Sequence, residues 1–413
     1  MKILHVATTL GPKNGGAAVA CIELCLALAD LGHTVEIVTT NIDVPPDWRV
    51  IRGRSYQHKN ISIHFATALG STYYWFSPAL ALLLWRKVPD FDVVHIHSLY
   101  RFHLPVTSWI CRWFKKPYVV KPHGSLDPFL FRYRRWRKIP HEVLFDRPAY
   151  AHAAAIQYVA REEQRLAEST NLIVGLKTVG VVVPSAVVVP EGTSIGAGPV
   201  AQMKTAHAQI LFDRFPNLCG KRIVLFLGRL NFKKGMDILI KAFASVQCQV
   251  PNAHLLFVGP DSEGYSAQIK MWLEESQVSE HATFTGMLLG EEKTAAFCAA
   301  EVFVLSSYTE NFGIAIIEAM AQGCPVVISN KVNIWQEIQE ADAGIVTDCD
   351  DIQTANAILR VLTEPGLAAR LVANGRRLAT EHFTWPVAGK KMEIVYREIL
   401  TRGAQPWPEA HNG

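Results

Sequence analysis

No apolar run in this 413-residue chain is long enough to cross a bilayer. The longest stretch, residues 73–85, is too short and carries Pro78. Eight cysteines occur without a single Cys-x-x-Cys pair, which argues against a paired redox motif or a zinc ribbon. They read as buried reduced thiols, so a reducing compartment follows. Cys21 and Cys25 stand four apart on a predicted helix. Short-period repeats and low-complexity tracts are missing. Charge is sparse: 19% of residues are charged, against 49% hydrophobic, as in a well-filled globular protein. The loop 10–17 holds Gly11, Pro12, Gly15 and Gly16 but has neither the Gly-x-Gly-x-x-Gly fingerprint nor a Walker ending. A cytoplasmic protein with no leader is expected, because the opening Met1-Lys2-Ile3-Leu4-His5-Val6 reads as a strand rather than a signal peptide.

What is present is alternation. Apolar strand candidates at 3–8, 34–39, 93–97, 118–121, 155–159 and 187–189 alternate with helical patterns such as 18–30. The pattern restarts with 223–227, the helix 236–246, then 254–258, 282–285, 302–305, 326–328 and 344–346. This predicts two consecutive doubly wound α/β units with parallel sheets. The boundary falls in 190–220, rich in Gly and Pro, with a short helix possible over 201–212. Net charge is +4 overall, but residues 1–190 carry 22 Lys+Arg and 13 Asp+Glu, a net of +9. The remainder carries 19 and 24, a net of −5. A basic first half suits an anionic surface or acceptor.

The most informative stretch runs from Tyr308 to Gly323, with Glu310 and Glu318 eight apart between two buried strands. It predicts a helix starting near Phe312 and stopped by Gly323 and Pro325. Glu310 then lies in the strand-to-helix loop and Glu318 two turns into the helix. Ligands of open parallel sheets bind outside the carboxyl ends of the strands. The backbone N–H groups of Asn311, Phe312, Gly313 and Ile314 open the helix and suit an anion. Two carboxylates beside such a helix start suit a ligand with hydroxyls and phosphates, such as a nucleotide sugar. The segment Leu227-Gly228-Arg229-Leu230-Asn231-Phe232-Lys233-Lys234-Gly235 follows a strand and opens a helix. Arg229 and Lys234 can converge on one anion there and stabilise a leaving diphosphate; a basic surface turn is the plain alternative.

The run Glu-Asn-Phe-Gly…Glu-Ala-Met-Ala-x-Gly-x-Pro-Val-Val at 310–327, with Gly228-Arg229-Leu230…Lys234-Gly235, resembles the glycosyltransferases of the GT-B type, family 4 or group 1. The resemblance covers nearly the whole chain. It implies a GT-B architecture: two Rossmann-like domains facing a central cleft, 1–190 on the acceptor side and 191–385 holding the nucleotide sugar. A C-terminal helix, 386–403, would cross back to the first domain, leaving 404–413 as a disordered tail. It implies retaining transfer from a nucleotide diphosphate sugar to a glycan or lipid-linked acceptor, as in surface or exopolysaccharide biosynthesis. A nucleotide-sugar-binding or epimerising protein on the same fold is the alternative.

By this resemblance Glu318 contacts the ribose, Glu310 the donor-sugar hydroxyls, and Arg229 with Lys234 the diphosphate. Gly15 and Gly16 close over the phosphates. His123, in Lys121-Pro122-His123-Gly124-Ser125, positions the sugar and acceptor. Gly286 and Met287 are guesses for the base pocket. Gly192 follows Pro190-Glu191, where the family commonly has Pro-Asn-Gly.

Neither cofactor nor metal is expected. His95 and His97 mimic a metal pair without an identifiable third ligand. Asp90-x-Asp92 and Asp348-x-Asp350 read as solvated turns. The run 129–138 mixes five cations with five aromatic or apolar residues. A membrane interface, a nucleic-acid patch and a solvated packed helix all fit it. An anionic membrane surface on the inner face is carried as a candidate partner; nucleic acid is not.

Overall fold

A computed structural model describes residues 1–11, 16–45, 48, 55–69, 74–98, 100–131, 139–188, 197–261 and 264–402. The chain divides into two compact units, Met1–Ala186 with Trp385–Gly413, and Val187–Thr384.

The first unit is built on an eight-stranded sheet: β1 (Lys2–Val6), β2 (Thr34–Thr40), β3 (Tyr56–His58), β4 (Ile61–Ala66), β5 (Val93–His97), β6 (Tyr118–Lys121), β7 (Ala155–Tyr158) and β8 (Gly180–Val182). Its spatial order is β3-β4-β2-β1-β5-β6-β7-β8, with every pairing parallel except β3 with β4. β1 and β5 lie next to each other although three strands separate them in sequence, so the order reverses there. All five residues of β5 are buried, as expected for a strand covered on both faces. The final helix Trp385–Arg402 belongs to this unit. Its Met392, Tyr396 and Ile399 share a core with Leu24 and Leu28 of the helix Gly16–Asp30.

The second unit has six parallel strands: β9 (Arg222–Leu227), β10 (Ala253–Val258), β11 (Ala282–Gly286), β12 (Ala300–Leu305), β13 (Val326–Ser329) and β14 (Ile345–Thr347). Their order is β11-β10-β9-β12-β13-β14. This is a doubly wound sheet whose switch point lies between β9 and β12, beside the loops 228–235 and 306–313.

Four differences from the sequence reading have local causes. The helix after β12 is Ile314–Ala321, two residues later than expected. Gly313 stands before it at φ +74°, a left-handed conformation that a helix cannot include. Of the expected strand 187–189, Val187 forms only an isolated bridge, to Thr384, Val188 is in no strand, and Val189 lies outside the described residues. The strands β3 and β4 were not anticipated, because their polar residues interrupt the apolar run, nor was β8, which is only three residues long and opens on a glycine. The helix in the boundary region is Ala197–Arg214, longer than 201–212. Gly192, Gly15 and the tail from 404 lie outside the described residues, as do most of 129–138.

Candidate functional site

In the second unit, the two loops at the switch point are tied together by their backbones. Asn231 accepts from the Lys233 N–H (3.0 Å) and starts the short turn Phe232–Lys234. Tyr308 N–H donates to the Lys233 carbonyl (2.7 Å), and the Ser306 hydroxyl donates to the Gly235 carbonyl (2.7 Å). Glu310 N–H donates to the Lys331 carbonyl (3.0 Å), and its own carbonyl accepts from Asn333 N–H (3.0 Å). A lysine and a glutamate 76 residues apart are thereby brought together: Lys234 Nζ donates to Glu310 Oε2 in an ion pair, each side chain about one-fifth exposed. Arg229, at the start of the same loop, is exposed and has no ion pair among the described residues.

Glu318, inside the helix Ile314–Ala321, is also paired. Its Oε1 accepts from Lys293 Nζ at 2.6 Å. Lys293 lies on the helix Gly290–Ala299, just after Gly286 and Met287. Gly286 accepts from the Gly259 N–H (2.8 Å), and Met287 is 60% exposed. Sequence reasoning missed Lys293; only a contact between two distant helices singles it out. Asn311 accepts from the Asn333 side-chain amide (3.3 Å). The Phe312 side chain is buried and meets Phe383 edge-on, with ring centroids 5.5 Å apart, so only its backbone is left for a ligand. Ile314 is the first helical residue, partly buried.

The chemistry of this edge is specific. A carboxylate held by an ammonium is fixed in place and can accept hydrogen bonds from hydroxyls. A free guanidinium and a lysine on the same loop complement a diphosphate. The carboxylate pairs weighed as metal sites serve other ends. Asp92 accepts from Lys2 N–H, Asp350 caps the helix Asp351–Thr363, and Asp348 accepts from Asn330.

In the first unit, Gly16 opens the helix Gly16–Asp30 and is exposed. His123 follows β6 with φ +51°. Its Nε2 shares a hydrogen bond with His97 Nδ1 (3.0 Å), and His97 Nε2 shares another with His5 Nδ1 (2.9 Å). Glu163 holds the neighbouring loop by accepting from Gly124 N–H (2.8 Å) and Val159 N–H (2.6 Å). The His97 carbonyl accepts from His103 Nε2, which leaves His103 Nδ1 to accept from the Thr8 hydroxyl at 3.4 Å. His95 stacks on His97, with ring centroids 4.6 Å apart, but shares its hydrogen bond with Tyr396, Nδ1 and the phenol oxygen lying 2.6 Å apart.

His97 thus gains neighbours that the sequence did not suggest: His5, Cys21 and His97 offer ligand atoms within 4.8 Å of one another. We assign them no metal. The Lys121 ammonium is buried close by and helps lower the Cys21 thiol, though the hydrogen bond with Cys25 lowers it most. A cation there would be repelled.

Burial pushes His95, His97 and His123 well below the usual imidazole range, and His103 down to about 4. These groups are neutral when folded and take up protons when unfolded. Their stability contribution is complete above 6.5 and is lost as pH falls below it, for His103 down to about 4. His103 alone costs about 2 kcal/mol at a pH of about 5. Thermal unfolding midpoints are therefore expected to fall between about pH 7.5 and about pH 5, with a shallower fall for His103→Asn. A midpoint flat across that range, with His103→Asn no different, contradicts the neutral buried cluster.

Comparison with known proteins gives a consistent setting for both units. Residues 210–378 match the family described as "Glycosyl transferases group 1", and residues 14–172 match "Glycosyltransferase Family 4". Phosphatidyl-myo-inositol mannosyltransferase of Mycobacterium leprae is 28% identical over 342 residues, 80% of each chain. Mannosylfructose-phosphate synthase of Agrobacterium fabrum is 26% identical over 439 residues, 95% of this chain and 90% of its own. Among solved structures, Anabaena HepE in complex with UDP and glucose superposes with a TM-score of 0.72 at 16% identity, covering 96% of this chain and 100% of its own. Sucrose-phosphate synthase of Thermosynechococcus elongatus gives 0.70 at 21% identity, covering 97% and 99%. These two likenesses bear on the fold, which is GT-B.

Proposed function

Because this chain belongs to the group 1, family 4 glycosyltransferases, we propose that it moves a sugar from a nucleotide diphosphate donor to a glycan or lipid-linked acceptor with retention at the anomeric carbon. The observation that carries this reading is the Lys234–Glu310 pair at the switch point of β9 and β12, with Arg229 unpaired on the same loop. Glu310 takes the donor-sugar hydroxyls, and Arg229 and Lys234 take the diphosphate. Glu318, steadied by Lys293, takes the ribose, and the Asn311–Ile314 backbone takes sugar and phosphate oxygens. Gly286 and Met287 border the base, and Gly15 and Gly16 approach the phosphates.

In this reading no carboxylate is assigned as a nucleophile, and Glu310 serves the donor sugar. The acceptor hydroxyl therefore attacks on the face the diphosphate leaves, and the departing phosphate oxygen takes its proton. The two cations stabilise the charge that develops on that oxygen, as preorganised donors do. His123, fixed through His97, positions sugar and acceptor. The setting proposed is synthesis of surface polysaccharide at the inner face of the membrane. Among the described residues, no helix is long and apolar enough to cross a membrane.

The test is release of nucleoside diphosphate with and without acceptor, in excess EDTA. Release that requires acceptor and persists with EDTA is expected. Turnover of the nucleotide sugar without acceptor would favour epimerisation or hydrolysis. Complete loss in EDTA, restored by magnesium or manganese, would overturn the cationic role of Arg229 and Lys234.

A further inference from the structure

Two helices of the first unit, Pro78–Lys87 and His103–Trp113, turn their apolar sides both ways. Inward, Leu80, Leu84, Leu104 and Ile110 are buried. Outward, Trp85, Trp109 and Trp113 are 37%, 52% and 63% exposed. Each pair of their rings lies with centroids 5.8 Å apart, so they form one aromatic cluster. Indoles are rarely left in water together, and an exposed apolar patch of this kind marks an interface.

We propose that this face docks on an anionic lipid bilayer, with the three indoles at headgroup depth. Charge argues for this occupant. Residues 78–89 and 103–116 contain no Asp or Glu. Arg86, Arg112 and Lys115 are exposed at the same ends of the helices as the indoles, with no ion pair among the described residues. Lys87 is accounted for by Glu36, at 2.6 Å. Tryptophan beside Arg and Lys is the composition of a membrane–water interface. A second copy seated here through a two-fold axis would set these cations against their own counterparts. The face would hold the protein where a lipid-linked acceptor resides. It rests on the proposed acceptor for that purpose alone, and its test does not use the transfer reaction.

Vesicle sedimentation with phosphatidylcholine alone and with phosphatidylglycerol added, at low and high salt, is the experiment. The full chain is expected to bind the anionic vesicles at low salt, with a blue-shifted indole emission quenched by brominated lipid. Trp109→Ser with Trp113→Ser is expected to weaken binding at least tenfold. Each nearby cation contributes about fivefold, so replacing Arg86, Arg112 and Lys115 by Ser costs on the order of 10²-fold and removes the preference for anionic lipid. Circular dichroism and donor-nucleotide binding like those of the wild type establish that the variants are folded. Negligible binding to both vesicles, or binding unchanged in folded variants, overturns the proposal. So does a wild-type dimer in sedimentation that the Trp variants abolish, which would make the face a protein interface.

Discussion

Lys234→Ala lowers turnover by on the order of 10²-fold or more while the protein stays folded. The lysine has two tasks. It fixes Glu310 through their ion pair, and it faces the leaving diphosphate. Its removal takes a positive charge from the developing phosphate anion and leaves Glu310 without its partner. The loss resembles that of an oxyanion-stabilising donor. Stability changes little, because both side chains are partly exposed and such pairs contribute about 0–1 kcal/mol. Arg229→Ala gives a loss of the same order with even less effect on stability, since Arg229 is exposed and unpaired among the described residues. Steady-state kinetics with urea unfolding of the same preparations checks this. Near-normal turnover in both variants would remove the β9 and β12 loops from consideration.

Gly259→Ala destabilises the chain by roughly 3–5 kcal/mol, the sum of a glycine-only backbone and an overpacked contact. Gly259 has φ +140°, and a Cβ placed there would lie 2.0 Å from the Gly228 carbonyl oxygen. That neighbour is backbone, so no side chain can swing aside. The same residue donates its N–H to Gly286 (2.8 Å), and Gly228 N–H donates to Val258 (2.9 Å). The contact thus stitches together the ends of β9, β10 and β11 beside Arg229. Urea unfolding at constant slope measures the effect. A midpoint within about 0.5 kcal/mol of wild type would show that the strand ends are looser than described.

What the sequence made legible follows from burial. The strands Tyr118–Lys121 and Val326–Ser329 lie where expected, because central parallel strands are near-continuous apolar runs. The strand Ile61–Ala66 escaped notice, since Ser62 and His64 break its run. Arg229, Lys234 and Glu310 were recognisable from their motifs, but the Lys234–Glu310 pair was not. It depends on β9 and β12 lying side by side, which spacing along the chain does not reveal. The histidines were harder still. His5, His97 and His123 stand on or after three different strands and meet only when the sheet orders them. The outward indoles were passed over for a different reason. Trp109 and Trp113 stand four apart on a helix, a pattern that ordinarily marks a buried face.

The loops after β9 and β12 are expected to bind the donor diphosphate. Thermal unfolding with UDP-, GDP- and ADP-sugars, in the wild type and in Arg229→Ala/Lys234→Ala, tests it most directly. A ligand that binds only the native state at about 100 times its Kd adds about 2.7 kcal/mol of stability. One nucleotide class is expected to raise the wild-type midpoint, and the rise is expected to disappear in the double variant. An equal rise in both proteins, or no rise in the wild type with any of the three, would contradict it.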